Sequence, residues 1–337
     1  MQPGEEFRAD GRAARRLDPA ALDELTRLST WRGALAPALT VGAVAMLAVA
    51  GAWAWAAGQW GWLLLLVPLM AGQQHALFIL AHEAAHYRLF PQRALNEAVG
   101  CLAGWMAGLS MRTYRVTHRL HHNHLYGPQD PDIALHGGYP RGEGYLLRKL
   151  LIDLSGRTAP KTAAYFLGAP AADRSTGQAL RPLDDTSARL RAQAQTDRRL
   201  LALWQLAAPL ACALAGGATG LLLYALLWLL PWATVLQALL RLRAVAEHGA
   251  PGALDSPLQA ARSNRLPAGP LGWLLRAMLF PHHVNHHLEH HLYPAVPHYR
   301  LPALHRALQA QGLLQGAEVR PLRSTLARVT GPRPGHG

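Results

Sequence analysis

Histidines are concentrated in three short segments of this chain, at spacings that suit metal binding. His82 and His86 stand four positions apart in HEAAH, and HRLHH occupies residues 118–122. The third segment, HHVNHHLEHH, runs over residues 282–291. Neutral imidazole is the commonest metal ligand, and side chains three or four positions apart share one helix face. The spacing predicts a polyhistidine metal site assembled from distant segments.

The available residue types narrow the metal that such a site would hold. Cys101 and Cys212 each lie in an apolar stretch, which excludes a disulfide framework and a C-x-x-C site. One ion takes about four to six ligands, so nine or more histidines suit two ions. Nitrogen ligands without thiolates leave iron, copper and catalytic zinc as candidates. Carboxylates beside the histidines are expected to support them by accepting hydrogen bonds, and the candidates are Glu83, Asp130, Asp132, Glu247 and Glu289.

Apolar residues make up 50% of the chain and collect in stretches long enough to cross a bilayer. The predicted spans are residues 34–57, 62–81, 200–214 and 221–240. Uncharged turns join each pair, whereas arginines flank both pairs, so we expect two hairpins whose ends lie in the cytoplasm. The same bias explains the net charge of +13, and no nucleic acid is expected as a partner.

The predicted fold is an all-α integral membrane protein in which a cytoplasmic helical region caps two transmembrane hairpins. Residues 1–33 are interpreted as a cytoplasmic arm, residues 34–310 as the membrane domain, and residues 311–337 as a basic, partly disordered tail. The polar first thirty residues do not resemble a secretory signal peptide. We expect a bacterial inner-membrane protein with both termini and all three histidine segments on the cytoplasmic side.

Shorter helices are expected around the spans. Asp18 followed by Pro19 is typical of a helix start. Residues 94–111 mix apolar residues with glycines, which favours an interfacial or re-entrant helix. Further helices are expected at residues 146–154, 189–199 and 271–280.

In this order the three histidine segments resemble the boxes of the membrane fatty acid desaturase family. The resemblance covers about residues 60–310 and extends to DPD at 130–132, AEHG at 246–249 and NHHLEHHLYPAVPHYRLPALH at 285–305. It implies a di-iron centre that uses O2 as co-substrate and two electrons to remove hydrogens from the acyl chain of a fatty acid or lipid. The ligands it implies are His82, His86, His118, His121, His122, His248, His287, His290 and His291.

The register of the third box is a choice, because His283, His286 and His287 also spell H-x-x-H-H. The later register is favoured because the family follows its last box with leucine and proline, as Leu292 and Pro294 do here. His282, His283 and His286 are then expected to line or support the site. Within the second span, His75 and Gln74 could border a substrate channel, although interhelical hydrogen bonding would explain them equally well.

Several functions remain open on these residues. A hydroxylase or ketolase of a lipid or terpenoid could use the same di-iron site. HEAAH also fits the H-E-x-x-H motif of an intramembrane zinc protease, and a metal transporter is a non-catalytic alternative. The E-x-x-H of carboxylate di-iron bundles needs a second copy, which the sequence does not contain. The electron donor must be a separate protein of the ferredoxin, rubredoxin or cytochrome b5 type, because neither C-x-x-C nor H-P-G-G occurs.

Overall fold

The computed structural model describes residues 17–127, 130–168, 171–172, 179–180, 186–254 and 256–332, and most of them are helical. The helices are α1 (Pro19–Thr26), α2 (Thr30–Ala56), α3 (Leu63–Ala85), α4 (Arg93–Ala107), α5 (Met111–Asn123), α6 (Ile133–His136), α7 (Glu143–Leu154), α8 (Ala159–Phe166), α9 (Ala188–Tyr224), α10 (Leu230–Ala233), α11 (Val235–His248), α12 (Pro257–Ala260), α13 (Pro270–Met278), α14 (His287–Leu292), α15 (Leu301–Ala310) and α16 (Leu322–Val329). Short 3₁₀ segments cover Trp60–Trp62, Pro281–His283 and His298–Arg300, and a π-helical segment covers Ala225–Leu229. The strands are β1 (Ala171–Ala172), β2 (Ala179–Leu180), β3 (Ser263–Arg265) and β4 (Val319–Pro321).

Three helical stretches are long and apolar enough to cross a membrane: Thr30–Ala56, Trp60–Ala85 and Ala188–His248. The first two correspond to the predicted spans 34–57 and 62–81. Along α2 the apolar side chains of Leu39, Met46 and Val49 are exposed. A helix that is apolar on its exposed side suits lipid rather than water.

The third stretch contains both remaining predicted spans and is not one straight helix. Gly217 has φ 58° and ψ −141°, which interrupts the helical backbone. A Cβ built on Gly220 would lie 2.0 Å from the carbonyl oxygen of Cys212. Residues eight apart in a straight helix are separated by about 12 Å, so the chain reverses direction near Gly217. Four separate membrane crossings remain a prediction.

The core forms around the second half of α3, which is buried from Met70 to Ala85 except at the partly buried Gln73. This segment packs against α4, α5, α11 and α13. Helix α4 comes especially close, because a Cβ on Gly100 would lie 2.2 Å from the Cβ of Ala84. The end of α3 that carries HEAAH is therefore enclosed by protein on several sides.

Both ends of the described chain pack onto the helical region beside this core. Asp18 accepts a hydrogen bond from the backbone N–H of Ala21 (3.0 Å), as expected for the cap of α1. Leu17 and Leu25 join a cluster with Leu304 of α15. The predicted arm of residues 1–33 is thus joined to the rest of the fold, and residues 1–16 lie outside the described residues.

The region predicted as a tail differs from that interpretation. β4 pairs in parallel with β3, and Val329 of α16 packs against Val245 of α11. Leu322, Leu326 and Val329 recur at helical spacing, which supplies the apolar face that holds α16 in place. The predicted domain boundary at residue 311 therefore falls within packed structure. The Gly/Pro end at residues 333–337 lies outside the described residues.

The shorter predicted helices correspond to elements of the structure. Residues 94–111 match α4, residues 146–154 match the end of α7, and residues 271–280 match α13. Residues 189–199 form the first part of α9 rather than a helix of their own. Helix α8 was not predicted. It is only eight residues long, and in the folded chain its Phe166 packs against Phe78 of α3.

Candidate metal centre

The nine histidines predicted as ligands come from four segments that meet near the end of α3. His82 lies in the last turn of α3, and His86 follows that helix directly. The second box lies in α5 and the third in α14. His248 is the last residue of α11. Together the nine side chains form two adjacent clusters.

Cluster A is the group of five histidines at His82, His86, His118, His122 and His290, whose potential ligand atoms all lie within 4.8 Å of one another. The ring centroids of His82 and His118 are 4.4 Å apart, and those of His86 and His290 are 4.7 Å apart. The Nε2 atoms of His118 and His122 are separated by 3.0 Å. His82, His118 and His290 are buried, whereas His86 and His122 are partly buried.

Cluster B is the group of four buried histidines at His121, His248, His287 and His291. Their Nε2 atoms converge. Nε2 of His248 lies 2.8 Å from Nε2 of His287 and 3.2 Å from Nε2 of His121. Nε2 of His291 lies 3.0 Å from Nε2 of His287. The four Nε2 atoms thus surround one small space, to which each could present a lone pair.

The two clusters touch, since the rings of His122 and His291 stack with centroids 4.2 Å apart. Each H-x-x-H-H box contributes to both. The first and last histidines of one box face the same cluster and the middle one faces the other. Residues four apart differ by about 40° around a helix, whereas adjacent residues differ by about 100°. This spacing therefore divides the histidines of one helix between the two clusters.

Burial keeps most of these imidazoles neutral. The pKa lies well below its ordinary value for His118, His122, His287, His290 and His291. The main cause is that burial disfavours the charged ring, and the neighbouring histidines add repulsion. Neutral imidazole is the form that binds a metal, so the site favours ligation over protonation.

The arrangement fits a pair of metal ions. Buried Nε2 atoms of His82, His86 and His290 have no hydrogen-bond partner among the described residues. Such atoms are costly to bury, and a metal bond would satisfy them. Two nitrogens bound at right angles to one ion at about 2.1 Å lie about 3.0 Å apart. The Nε2 separations in cluster B are close to that value.

Two predicted carboxylate partners lie beside the clusters at the ends of long helices. Glu83 has one oxygen 3.3 Å from Nδ1 of His82, and the other accepts the backbone N–H of His298 (2.9 Å). Glu247 lies 3.6 Å from Nε2 of His287 and binds Arg243 through both oxygens. Glu83 therefore lies beside the first box, and Glu247 beside cluster B.

The loop after α5 supplies two more of the predicted carboxylates, Asp130 and Asp132. Asp130 lies 2.9 Å from Nδ1 of His121 and accepts the backbone N–H groups of Tyr126 and Asp132. Burial lowers the pKa of His121, but the charge and hydrogen bond of Asp130 outweigh burial and raise it. Burial likewise raises the pKa of Asp130, and His121 more than offsets this, so it lies below its ordinary value. Asp132 is farther away, at 3.7 Å, and accepts the hydroxyl of Tyr165 (2.6 Å).

Glu289 has different partners from those expected. Its carboxylate contacts the hydroxyl of Ser263 and Nδ1 of His305. Neither is one of the nine histidines. The sequence placed Glu289 between His287 and His290, but its helical position directs it to β3 and α15 instead.

The three other histidines of the third segment, residues 282–291, lie outside both clusters. His282 and His283 have φ values of 53° and 62°, so the chain bends sharply before α14. Nε2 of His282 lies 3.3 Å from the hydroxyl of Thr40. His286 lies beside Glu289 and His305. The later register of the box is the one that enters the clusters.

His75 and Gln74 are fully buried in α3 and bond to backbone carbonyls of other segments. Nδ1 of His75 lies 2.9 Å from the carbonyl of Met278, and the amide of Gln74 donates to the carbonyl of Trp228 (2.7 Å). These are the interhelical hydrogen bonds that the sequence left as an alternative. Nε2 of His75 and Oε1 of Gln74 have no hydrogen-bond partner among the described residues.

Two residues beside the clusters were not singled out from the sequence. The ring of Tyr114 stacks on His118, and its hydroxyl lies 3.2 Å from Nδ1 of that histidine. His136 lies 3.3 Å from Asp130. Together with Asp130 and His121 it forms a group of side chains that could bind a metal ion. The four-residue spacing from Tyr114 to His118 could have indicated their contact, because such residues share one helix face. No local pattern indicated that His136 lies beside the clusters.

The described residues combine three apolar helical stretches that could span a membrane with a double cluster made entirely of histidines. The sequence model of the fatty acid desaturase family matches residues 60–323, and the chain belongs to that family. Membership makes the protein an oxidoreductase of the desaturase or oxygenase type. None of the curated proteins compared with the chain matches it in sequence.

Proposed function

We propose that the protein is an O2-dependent di-iron desaturase that introduces a double bond into the acyl chain of a fatty acid or lipid. The observation that carries the proposal is the convergence of nine imidazoles from four segments into clusters A and B. Family membership supports the same reaction class. Two iron ions held there would supply the O2 chemistry needed to remove hydrogen from an unactivated methylene.

The chain's own residues hold and insulate this centre. The carboxylate of Asp130 accepts a hydrogen bond from the Nδ1–H of His121. The lone pair of Nε2 is then free to face cluster B. Tyr114 stacks against His118 and limits rotation of that ring. Because seven of the nine histidines are buried and the other two are partly buried, bulk water has little access to the reacting atoms.

The reaction balances only with an external reductant. The substrate loses two hydrogens, while O2, two electrons and two protons together with those hydrogens give two molecules of water. We expect the electrons from a separate carrier of the ferredoxin, rubredoxin or cytochrome b5 type. In our proposal the carrier docks on the cytoplasmic side of a bacterial inner membrane, where both termini and the metal centre lie.

Hydroxylation or ketone formation on a lipid or terpenoid would use the same centre and differ in product. A hydroxylase inserts one oxygen atom, whereas a desaturase removes two hydrogens. Small differences in substrate position decide between these outcomes. The unpartnered Nε2 of His75 and Oε1 of Gln74 would lie along a channel that sets this position. His75→Phe should then change regioselectivity, and unchanged turnover and regioselectivity would remove His75 from this role.

The zinc protease hypothesis is less compatible with the site. In that mechanism the glutamate of H-E-x-x-H acts as general base on a metal-bound water. Here Glu83 accepts the backbone N–H of His298 and lies against Nδ1 of His82. His82 and His86 are also surrounded by three further histidines that a one-zinc protease would not use.

Two measurements on the full chain test the proposal. Metal analysis of protein purified without oxygen should find about two iron ions per chain. Lipids of an expressing host, compared by mass spectrometry with those of a host expressing His118→Ala, should show new products lacking two hydrogens. Zinc alone in fresh preparations would contradict di-iron chemistry, and products that gain oxygen would establish the hydroxylase instead.

A further inference from the structure

The geometry points to a third metal site, for one divalent cation of the zinc type, formed by His286, Glu289 and His305. One potential ligand atom from each residue lies within 4.8 Å of the others. None of the three belongs to cluster A or cluster B. Neither the existence of this site nor its test depends on which reaction the nine-histidine centre performs.

The donor set selects the kind of ion. Two imidazoles and one carboxylate form a known zinc ligand set that leaves a position for water, whereas calcium and magnesium prefer oxygen ligands. The same set also binds ferrous iron, but zinc binds more tightly than ferrous iron to a given site of this type. Zinc is therefore favoured over ferrous iron, calcium and magnesium at this site.

Supporting contacts already fix the central ligand. One oxygen of Glu289 contacts the hydroxyl of Ser263, and that hydroxyl accepts the backbone N–H of Leu288 (3.0 Å). The other oxygen faces Nδ1 of His305. A carboxylate held in this way presents one oxygen in a fixed direction, as metal-binding carboxylates commonly do.

The two histidines can complete the site from outside. Glu289 is fully buried, whereas His286 and His305 are partly exposed, so an ion and a water ligand could enter from their side. Their rings lie close, with centroids 5.2 Å apart. Ligand atoms around one zinc ion lie about 3 Å apart, so small side-chain rotations would be needed. The positive charge of Arg276 acts on His286 and would moderate the affinity.

Binding there would connect two parts of the fold. His305 lies in α15, and Glu289 lies in α14 between histidines of both clusters. An ion shared by the two helices would resist their separation, and it would do so beside the third histidine box. We therefore expect zinc to stabilise the folded chain in addition to raising its metal content.

The test measures the number of zinc ions bound per chain. The full chain is purified in detergent, saturated with zinc and dialysed before the measurement. The His286→Phe variant keeps the contact between Glu289 and His305 and should bind one zinc ion fewer than the wild type. The His124→Phe variant changes an exposed histidine and should bind the same number as the wild type. Because the result is a difference between variants, it holds whatever the nine-histidine centre contains.

A second readout guards against misfolding. Zinc should raise the unfolding temperature of the wild type and of His124→Phe more than that of His286→Phe. The His305→Asp variant, which replaces one ligand with another, should retain part of the effect. Equal zinc content in the wild type and His286→Phe would overturn the proposal, even if both are folded.

Discussion

Nε2 of His248 lies 2.8 Å from Nε2 of His287, although the two residues are 39 positions apart in the chain. Two neutral imidazoles at this distance can share one proton or one metal ion. Their further neighbours at His121 and His291 are also histidines, which favours a metal. His248 is therefore the clearest point at which to test the centre.

His248→Ala should lower iron content from about two ions per chain to about one, because cluster B would retain only three nitrogen ligands. Activity should fall by at least about 100-fold, since even supporting residues of metal sites cost 10–100-fold. Iron analysis and product formation measure the two effects. His124→Ala, at an exposed histidine, is the matched control. Full iron content in His248→Ala would exclude His248 as a ligand.

Asp130→Asn should weaken metal binding or activity by about 10–100-fold while the fold is retained. The amide has the same size but removes the charge that faces Nδ1 of His121 at 2.9 Å. Asp132→Asn should have a smaller effect, because Asp132 is 3.7 Å from the same atom. Metal titration of both variants measures the difference. Equal losses of metal affinity in the two variants would show that the contact between Asp130 and His121 does not determine the effect.

Gly217→Ala should destabilise the protein by about 1–3 kcal/mol, because a φ of 58° with ψ of −141° is a conformation that essentially only glycine adopts. A Cβ there would meet nothing within 4 Å, so steric crowding is not the cause. Gly216→Ala is the control, since it also meets nothing and does not require a positive φ. Thermal unfolding in detergent compares them. A stable Gly217→Ala variant would argue against the chain reversal at this position.

Glu318→Gln should reduce stability at neutral pH and make unfolding less dependent on pH below about 5. Burial raises the pKa of Glu318, but hydrogen bonds from Arg320 and Arg262 outweigh it, so the pKa is lower than usual. A carboxylate with a lowered pKa stabilises the fold above its unfolded pKa of about 4.3 and loses that effect as pH falls. Thermal unfolding from pH 7 to 3 measures the slope. Glu143→Gln, at an exposed carboxylate, should leave it unchanged.

The orientation of the spans can be tested with single cysteines in a chain whose Cys101 and Cys212 are replaced by alanine. A membrane-impermeant thiol reagent added to intact cells should label Gln59→Cys and Gly216→Cys, which are exposed and lie in the two turns. It should label Gly144→Cys only after the cells are permeabilised. Labelling of Gly144→Cys in intact cells would reverse the proposed topology.

Much of the fold could be predicted because each signal was local. The long apolar helices, including the one that carries the first box, and the start of α1 follow from composition and capping residues that neighbouring residues alone determine. The chain reversal at Gly217 falls within the uncharged turn predicted between the spans 200–214 and 221–240. The packed β4 and α16 were interpreted as tail because a three-residue strand has no signal without β3, its distant partner.

The sequence by itself also pointed to the nine histidines, since H-x-x-x-H and H-x-x-H-H place imidazoles on shared helix faces whatever surrounds them. The resemblance to the desaturase family chose the register of the third box and added His248 through AEHG. Only the tertiary structure decided how they divide, with His290 in cluster A and His287 in cluster B. It also decided that Glu289 faces Ser263 and His305. The physical reason is that spacing fixes directions around one helix, whereas the neighbour in each direction depends on how separate helices pack.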